Sequence, residues 1–263
     1  MQEKPEKPDF DTGIAAPLRV DRLSALMARF RLAVGSGPGR LAVAGGAAAS
    51  VRFWPFGRGV CAAPDGALVL AVDWGGAENP LIAALPDCVT LDAAGDPEAS
   101  ALIALILAEA EAARCGAEGA LARLTEVLLI RLLRAEIARG ETSTGLVGGL
   151  ACPRIARALV AMHADPGRAW TNEALAAEAH LSLSRFAELF TAKVGETPQA
   201  YLRRWRLTLA RQELGQGARV GRVAARLGYR SAEALTRAFR ARYGVPPAAV
   251  RPVSTAAAPP AGA

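Results

Sequence analysis

One helix–turn–helix pattern occurs twice in the C-terminal part of the chain, over residues 175–190 and 223–239. Each copy has a short apolar helix, a tight turn and a second helix that begins near a serine. Each second helix also carries two apolar residues four positions apart. These pairs are Phe186 with Phe190 and Leu235 with Phe239. Residues four apart share one face of a helix, so we expect each pair to point inward and the opposite face to meet solvent.

The residues at the two turns suit this arrangement. Gly228 can adopt a positive φ, which other residues resist. Ser182 and Ser231 can accept hydrogen bonds from the free amides at the start of the following helix. Helix–turn–helix modules place the outward face of their second helix in the major groove of DNA. The doubled pattern therefore predicts a DNA-binding domain.

The charge of the chain is divided unevenly. Residues 153–263 carry 17 Lys and Arg against 7 Asp and Glu, a net charge of +10, whereas residues 1–152 carry 14 against 18, a net charge of −4. The one lysine of the basic part is Lys193. Arginine offers planar, forked donors that fit phosphates and guanine edges. This split indicates that the C-terminal part meets a polyanion.

A length of 263 residues with 52% hydrophobic residues suits two modest domains. We predict an α+β multidomain chain. Its parts are a flexible tail (1–17), a small β-domain (18–95), a helical hairpin (96–149), an all-α tandem helix–turn–helix domain (150–251) and a second flexible tail (252–263).

Local patterns predict the elements within these parts. In the β-domain we expect a helix over 20–34, a glycine-rich loop over 35–46 and a short apolar segment at 81–85, with strands at 47–54, 59–63, 67–73 and 88–91. Two long helices, 99–114 and 121–138, precede a small-residue linker at 140–149. Seven helical segments follow, at 153–164, 172–179, 184–194, 198–214, 220–227, 232–243 and 247–250.

The segments 195–207 and 228–251 resemble the DNA-binding domain of AraC/XylS-type transcriptional regulators. The resemblance spans about Arg154 to Arg251, and the motifs Gly-Tyr-Arg-Ser from Gly228 and Gly-Val-Pro-Pro from Gly244 bracket the second unit as in that family. One departure is Leu235, where many members have Phe; it fills the same core role.

The resemblance implies a sequence-specific transcriptional regulator bound to double-stranded DNA. Two recognition helices would enter successive major-groove segments about 10 bp apart, held by the helix 198–214. The implied DNA-binding residues are Ser182, Ser184, Arg185, Glu188, Arg230, Ser231, Glu233, Thr236, Arg237 and Arg240, with Ala187 and Ala232 also facing the bases. We expect Arg237 to contact guanine. Phosphate contacts are expected among Arg203, Arg204, Arg206 and Arg211.

The N-terminal part resembles the same family more loosely, in the segments 21–26, 81–91 and 150–170. The family resemblance implies a cupin-like domain that senses an organic effector or dimerises, followed by a helical pair. The strand region 41–73 is short for a complete barrel, so we expect a reduced, incomplete cupin-like domain. A cupin metal centre needs several histidines; the chain has two, His163 and His180, so we predict no metal and no cofactor. The apolar face of the helical hairpin fits either core packing or a homodimer interface.

The four cysteines, at 61, 88, 115 and 152, lack the spacing of metal ligands. Burial in the core is one interpretation. A redox-sensing thiol is the other, at Cys115 beside Arg114 or at Cys152 near the domain junction.

No nucleophile–base set, phosphate-binding glycine loop or paired carboxylate stands out, so we expect no enzymatic activity. The N-terminus is charged, and the apolar stretches are too short to span a bilayer, so we expect a cytoplasmic protein without a membrane partner. Two alternatives stay open: a sequence-blind architectural DNA-binding protein, and a small-molecule-binding β-domain with a basic appendage.

Overall fold

The computed structural model describes residues 21, 23–27, 30, 32–57, 62–75, 79–112, 114–140 and 144–250. The two predicted tails and Cys61 lie outside these residues, as does most of the predicted strand 59–63. None of the described helices is both long enough and apolar enough to cross a membrane.

The N-terminal part forms a four-stranded antiparallel sheet in the order β3-β1-β2-β4. The strands are β1 (Ala33–Ala44), β2 (Ser50–Trp54), β3 (Leu68–Asp73) and β4 (Val89–Asp92). Two one-turn helices flank them, α1 (Ser24–Met27) and α2 (Pro80–Ala83). This small sheet beside a helical C-terminal domain confirms the predicted fold class.

The glycine-rich segment 35–46 is largely strand, so the prediction of a loop there is wrong. β1 pairs with β3 from Ala33 to Val43, with a register shift between Val34 and Gly39. A Cβ on Gly39 would lie 2.8 Å from the carbonyl oxygen of Val72. The glycine therefore permits a bulge that brings the two backbones together. The predicted helix 20–34 is wrong at its C-terminal end, because Ala33 and Val34 belong to β1; among the described residues of this segment the helix is α1.

A helical hairpin packs beside the sheet, formed by α3 (Pro97–Ala112) and α4 (Ala117–Arg139). Arg131 of α4 pairs with both carboxylates at the start of α3, Asp96 at 2.8 Å and Glu98 at 2.7 Å. Arg139 donates a hydrogen bond of 2.9 Å to the carbonyl oxygen of Thr90 in β4. The contacts of Arg131 hold the two helices of the hairpin together, and that of Arg139 joins the hairpin to the sheet.

The segment predicted as a linker contains a buried helix, α5 (Leu146–Ala151). All six of its residues are buried, and it contacts α4 on one side and α6 and α8 on the other. Small residues gave the segment the composition of a linker, but here they let helices approach closely. The prediction of a linker is therefore wrong from Leu146 onward.

All seven helical segments predicted for the C-terminal domain are present. They are α6 (Pro153–Ala164), α7 (Asn172–Glu178), α8 (Leu183–Val194), α9 (Pro198–Gly215), α10 (Val220–Arg226), α11 (Ala232–Tyr243) and a 3-10 turn at Pro247–Ala249. Thr171, Ser182, Thr197 and Ser231 cap four of the helices through their side-chain oxygens.

The two parts of the chain share one hydrophobic core. The ring of Phe30, just after α1, lies 6.0 Å from that of Trp205 in α9. Trp74, after β3, donates a hydrogen bond of 2.9 Å to the carbonyl oxygen of Phe30. The N-terminal part therefore packs directly against the long helix of the C-terminal domain.

Candidate nucleic-acid interface

The first unit (172–194) consists of α7, a turn and α8. Phe186 and Phe190 of α8 are fully buried, with their rings 5.5 Å apart, and pack with Leu175 and Ala176 of α7 in the core. His180 in the turn has a positive φ of 52°. The predicted inward pair thus fixes α8 to its partner helix and turns the opposite face of α8 to solvent.

The second unit (220–243) repeats this design with α10 and α11. Leu235 and Phe239 are fully buried, as are Val223 and Leu227 of the preceding segment. Gly228 has a φ of +74°, as its place in the turn requires, and the Tyr229 amide donates to the carbonyl oxygen of Ala224.

The predicted DNA-binding residues lie on the outward sides of the two units. Nine are exposed: Ser182, Ser184, Arg185, Glu188, Arg230, Ser231, Glu233, Arg237 and Arg240. Thr236 is half-buried, and its hydroxyl donates a 2.8 Å hydrogen bond to the carbonyl oxygen of Ala232. Ala187 and Ala232 are half-buried.

Several of these side chains already have partners within the chain. Ser182 Oγ accepts from the Arg185 amide at 3.4 Å, and Ser231 Oγ accepts from the Ala234 amide at 3.2 Å. The Arg185 guanidinium lies 3.5 Å from the Glu188 carboxylate. The Ser231 hydroxyl and the helix-start amide of Glu233 lower the pKa of the Glu233 carboxyl, as does the nearby Arg237 cation. The outer face of α11 therefore presents a carboxylate next to arginines.

The arginines of α9 divide by environment. Arg204 donates through Nε and Nη2 to Glu196 at 2.9 and 2.7 Å. Arg206 donates to the carbonyl oxygens of Pro166 and Arg168, and the Arg211 guanidinium lies 4.8 Å from the centre of the Tyr243 ring. Arg203 is exposed and makes no hydrogen bond or ion pair within the described part of the chain. Of the four, Arg203 is the best placed to meet a phosphate.

An open cleft of about 830 Å³ runs between α9 and α11. Arg203, Arg237 and Arg242 line it over apolar side chains that include Leu202 and Leu207. It therefore carries positive charge beside the outer face of the second unit.

Arg242 was not among the predicted site residues, although its distance in sequence from Arg237 and Ala238 indicates that it lies on the same helix face. Ala234, Arg237, Ala238, Ala241 and Arg242 all line the cleft, and intervals of three and four residues place them on one helix face.

His163 is packed in the core. It is fully buried, its Nε2 lies 2.6 Å from the Tyr201 hydroxyl, and its ring lies 4.8 Å from that of Trp205. Burial lowers the pKa of His163 to about 3, with a further contribution from the Arg204 cation. The described residues contain no cluster of three or more His, Cys, Asp or Glu that could hold a metal ion. Cys88 and Cys152 are half-buried and Cys115 is exposed; a redox role for either Cys115 or Cys152 stays a prediction.

Two protein families match separate parts of the sequence. A helix-turn-helix domain family matches residues 175–252, and a cupin family matches residues 67–138. The first match covers the whole second unit and the first unit from residue 175 onward.

Similar proteins are named as transcription regulators. A putative AraC-like transcription regulator of Streptomyces lividans is 40% identical over 126 residues, which are 47% of this chain and 41% of that protein. The HTH-type transcriptional regulator AlkR of Acinetobacter baylyi is 31% identical over 170 residues, 63% of this chain and 56% of that protein. This chain thus spans about half the length of the curated relatives it matches. The crystal structure of ToxT from Vibrio cholerae aligns with a TM-score of 0.39 and 11% identity over 82% of this chain and 85% of that one.

Proposed function

We propose that this chain is an AraC-like regulator of transcription that binds DNA sequence-specifically. Its matches to a helix-turn-helix domain family and a cupin family, and its similarity to proteins named as transcription regulators, support this proposal. In this proposal α8 and α11 enter successive major-groove segments of one DNA face. Such a protein acts where genomic DNA lies, which agrees with the expected cytoplasmic location.

One observation carries the proposal: both second helices bury their inward apolar pair completely and present a mainly polar face to solvent. Phe186, Phe190, Leu235 and Phe239 are all 0% exposed. The outward residues of α11 include Arg237 and Arg240, and the domain has a large positive charge. A core helix would need no such outer face, whereas a helix in the major groove does.

The two units are proposed to contribute differently. In the first unit Ser184 and Ala187 are small, and Arg185 is paired with Glu188, so α8 would position the protein more than select bases. In the second unit Arg237 is exposed beside the cleft and is the proposed guanine contact. Arg203 and Arg242, which line the same cleft, are the proposed partners of backbone phosphates.

The proposal is tested by selecting binding sites from random duplex DNA and measuring affinity for selected and random duplexes. We expect tighter binding to selected sites, and an affinity that falls steeply with salt as counterions are released. Arg237→Ala should weaken specific binding by about 1–3 kcal/mol and relax the preference at one base pair. Arg157→Ala, which removes an exposed arginine of α6, is the matched control.

Equal affinity for selected and random duplexes would contradict sequence-specific binding and favour the architectural alternative. A salt-independent affinity would contradict DNA binding through the arginine-rich face.

A second proposal concerns the helical hairpin, which we infer to bind a second copy of the chain. Ala101, Ala104, Leu105 and Ala108 follow one another at helical spacing along α3 and are all exposed. Leu105 is 51% exposed, and Val127 of the packed helix α4 is 48% exposed. A helix that is apolar on all sides is normally buried on all sides, which supports a homodimer interface here. Effector sensing by the cupin-like domain stays a prediction.

A further inference from the structure

The loop that leads into the first unit touches the second unit through backbone. The loop between α6 and α7 (165–171) meets the turn of the second unit (227–230). A Cβ on Gly167 would lie 2.3 Å from the carbonyl oxygen of Arg226, and a Cβ on Gly228 would lie 2.4 Å from the carbonyl oxygen of Gly167. Real Cβ atoms do not approach oxygen this closely, so the contact requires glycine on both sides.

Arg206 of α9 reaches this contact from the side. Its Nε donates to the carbonyl oxygen of Pro166 at 2.6 Å, and its Nη2 donates to that of Arg168 at 2.8 Å. The same Nη2 lies 3.2 Å from the position that a Cβ of Gly228 would take. The guanidinium is half-buried, and this burial lowers the pKa of Arg206, while Tyr229 and Asp165 raise it.

The geometry needs arginine in particular. A guanidinium presents several N–H donors in a fixed fork, so it can bind two carbonyl oxygens of one loop at once. A lysine ammonium carries the same charge on a flexible stem without this fixed fork. Because two of its donor positions already bind the loop, Arg206 is less free than Arg203 to meet a DNA phosphate.

We propose that Arg206, Gly167 and Gly228 form a junction that fixes the orientation of α8 relative to α11 and thereby sets the spacing between the two DNA sub-sites that the protein accepts. The loop of the junction leads into α7 of the first unit, and its turn leads into α11 of the second. The units are therefore joined twice, along the chain by α9 and across space by the junction. The consequence for DNA rests on the proposed function; the fixed orientation does not.

The spacing of the sub-sites is a sensitive measure of this orientation. One added base pair moves a sub-site by about 3.4 Å along the duplex and by about 35° around it. A rigid pair of recognition helices cannot follow that displacement, whereas a pair joined by α9 alone can adjust to it.

The first experiment uses the full chain with duplexes that carry the selected sub-sites at their native spacing and with one base pair added or removed. The variants are Arg206→Lys and Gly167→Ala. The controls are Arg157→Lys, at an exposed position on α6, and Gly221→Ala, where an added Cβ has nothing within 4 Å.

We expect the altered spacing to weaken binding of the unmodified protein at least tenfold, about 1.4 kcal/mol. In the two junction variants this penalty should fall below about threefold, and in the controls it should stay at its full value. A full penalty in both junction variants overturns the proposal, and so does an unmodified protein that tolerates either spacing.

The second experiment needs no DNA, so it separates this inference from the proposed function. Residual dipolar couplings of the backbone amides in α8 and α11 report the orientation of each helix. In the unmodified protein one alignment tensor should fit both helices, and in Arg206→Lys two should be required. A single shared tensor in Arg206→Lys overturns the junction, whereas a protein that binds no DNA overturns only the proposed function. If Gly167→Ala fails to fold, Arg206→Lys still tests the junction, because it changes only a half-buried side chain.

Discussion

At the scale of single residues, His163 shows how burial selects a protonation state. Its ring contacts Trp205 and Tyr201, and burial holds its pKa near 3, well below the value of about 6.5 for an exposed histidine. The folded protein therefore keeps a neutral imidazole down to acidic pH, while the unfolded chain becomes protonated below about pH 6.5. The free energy of unfolding is thus expected to fall as the pH is lowered from 6.5 towards 3.

Replacing this histidine should remove part of that pH dependence. Between pH 6 and pH 4 we expect the stability of His163→Gln to change less steeply than that of the unmodified protein, by up to about 1.4 kcal/mol per pH unit. Urea unfolding across this pH range measures the difference, and His180→Gln, at an exposed histidine, is the control. Equal slopes for His163→Gln and the unmodified protein would show that burial does not control this titration.

At the scale of elements, the C-terminal domain was predictable because its signals are local. Apolar residues at helical spacing mark the helices, and a serine or threonine cap or a first-turn proline marks the start of each helix except α10. Phe186 with Phe190 fixes which face of α8 turns inward. The N-terminal part was less predictable, since β1 depends on a long-range bulge at Gly39 and α5 on close packing against α4, α6 and α8. Of the candidate site, the outward residues of α8 and α11 followed from periodicity. The partners of Arg204 and Arg206 did not, because they lie on other segments of the chain.

The exposed stripe on α3 gives a prediction at the same scale. Leu105→Glu places a charge where an apolar side chain is proposed to meet its copy, so we expect a shift from dimer to monomer in analytical ultracentrifugation, with the fold retained. Ala94→Glu, at an exposed position outside the stripe, serves as the control. If the unmodified chain sediments as a monomer at all concentrations, the stripe is not a homodimer interface.

At the scale of the whole molecule, one hydrophobic core runs through both parts of the chain. Phe30 packs on Trp205, and α5 contacts helices on either side of it. Melting in a calorimeter is therefore expected to show a single transition, with equal calorimetric and van't Hoff enthalpies. Phe30→Ala removes a buried ring where the two parts of the chain pack together, so it should lower the free energy of unfolding by about 3–5 kcal/mol. We expect this loss to separate the single transition into two. Two transitions in the unmodified chain would contradict this expectation.

The packing of Phe30 on Trp205 also couples the stability of the N-terminal sheet to that of the C-terminal domain. Any ligand that binds only the native state raises the free energy of unfolding by an amount set by its concentration and affinity. In a chain that melts as one body, a duplex held by α11 protects the distant sheet against heat, and a small molecule held by the sheet protects α11. Thermal shift can therefore test candidate small molecules for binding to this chain without knowledge of a DNA target.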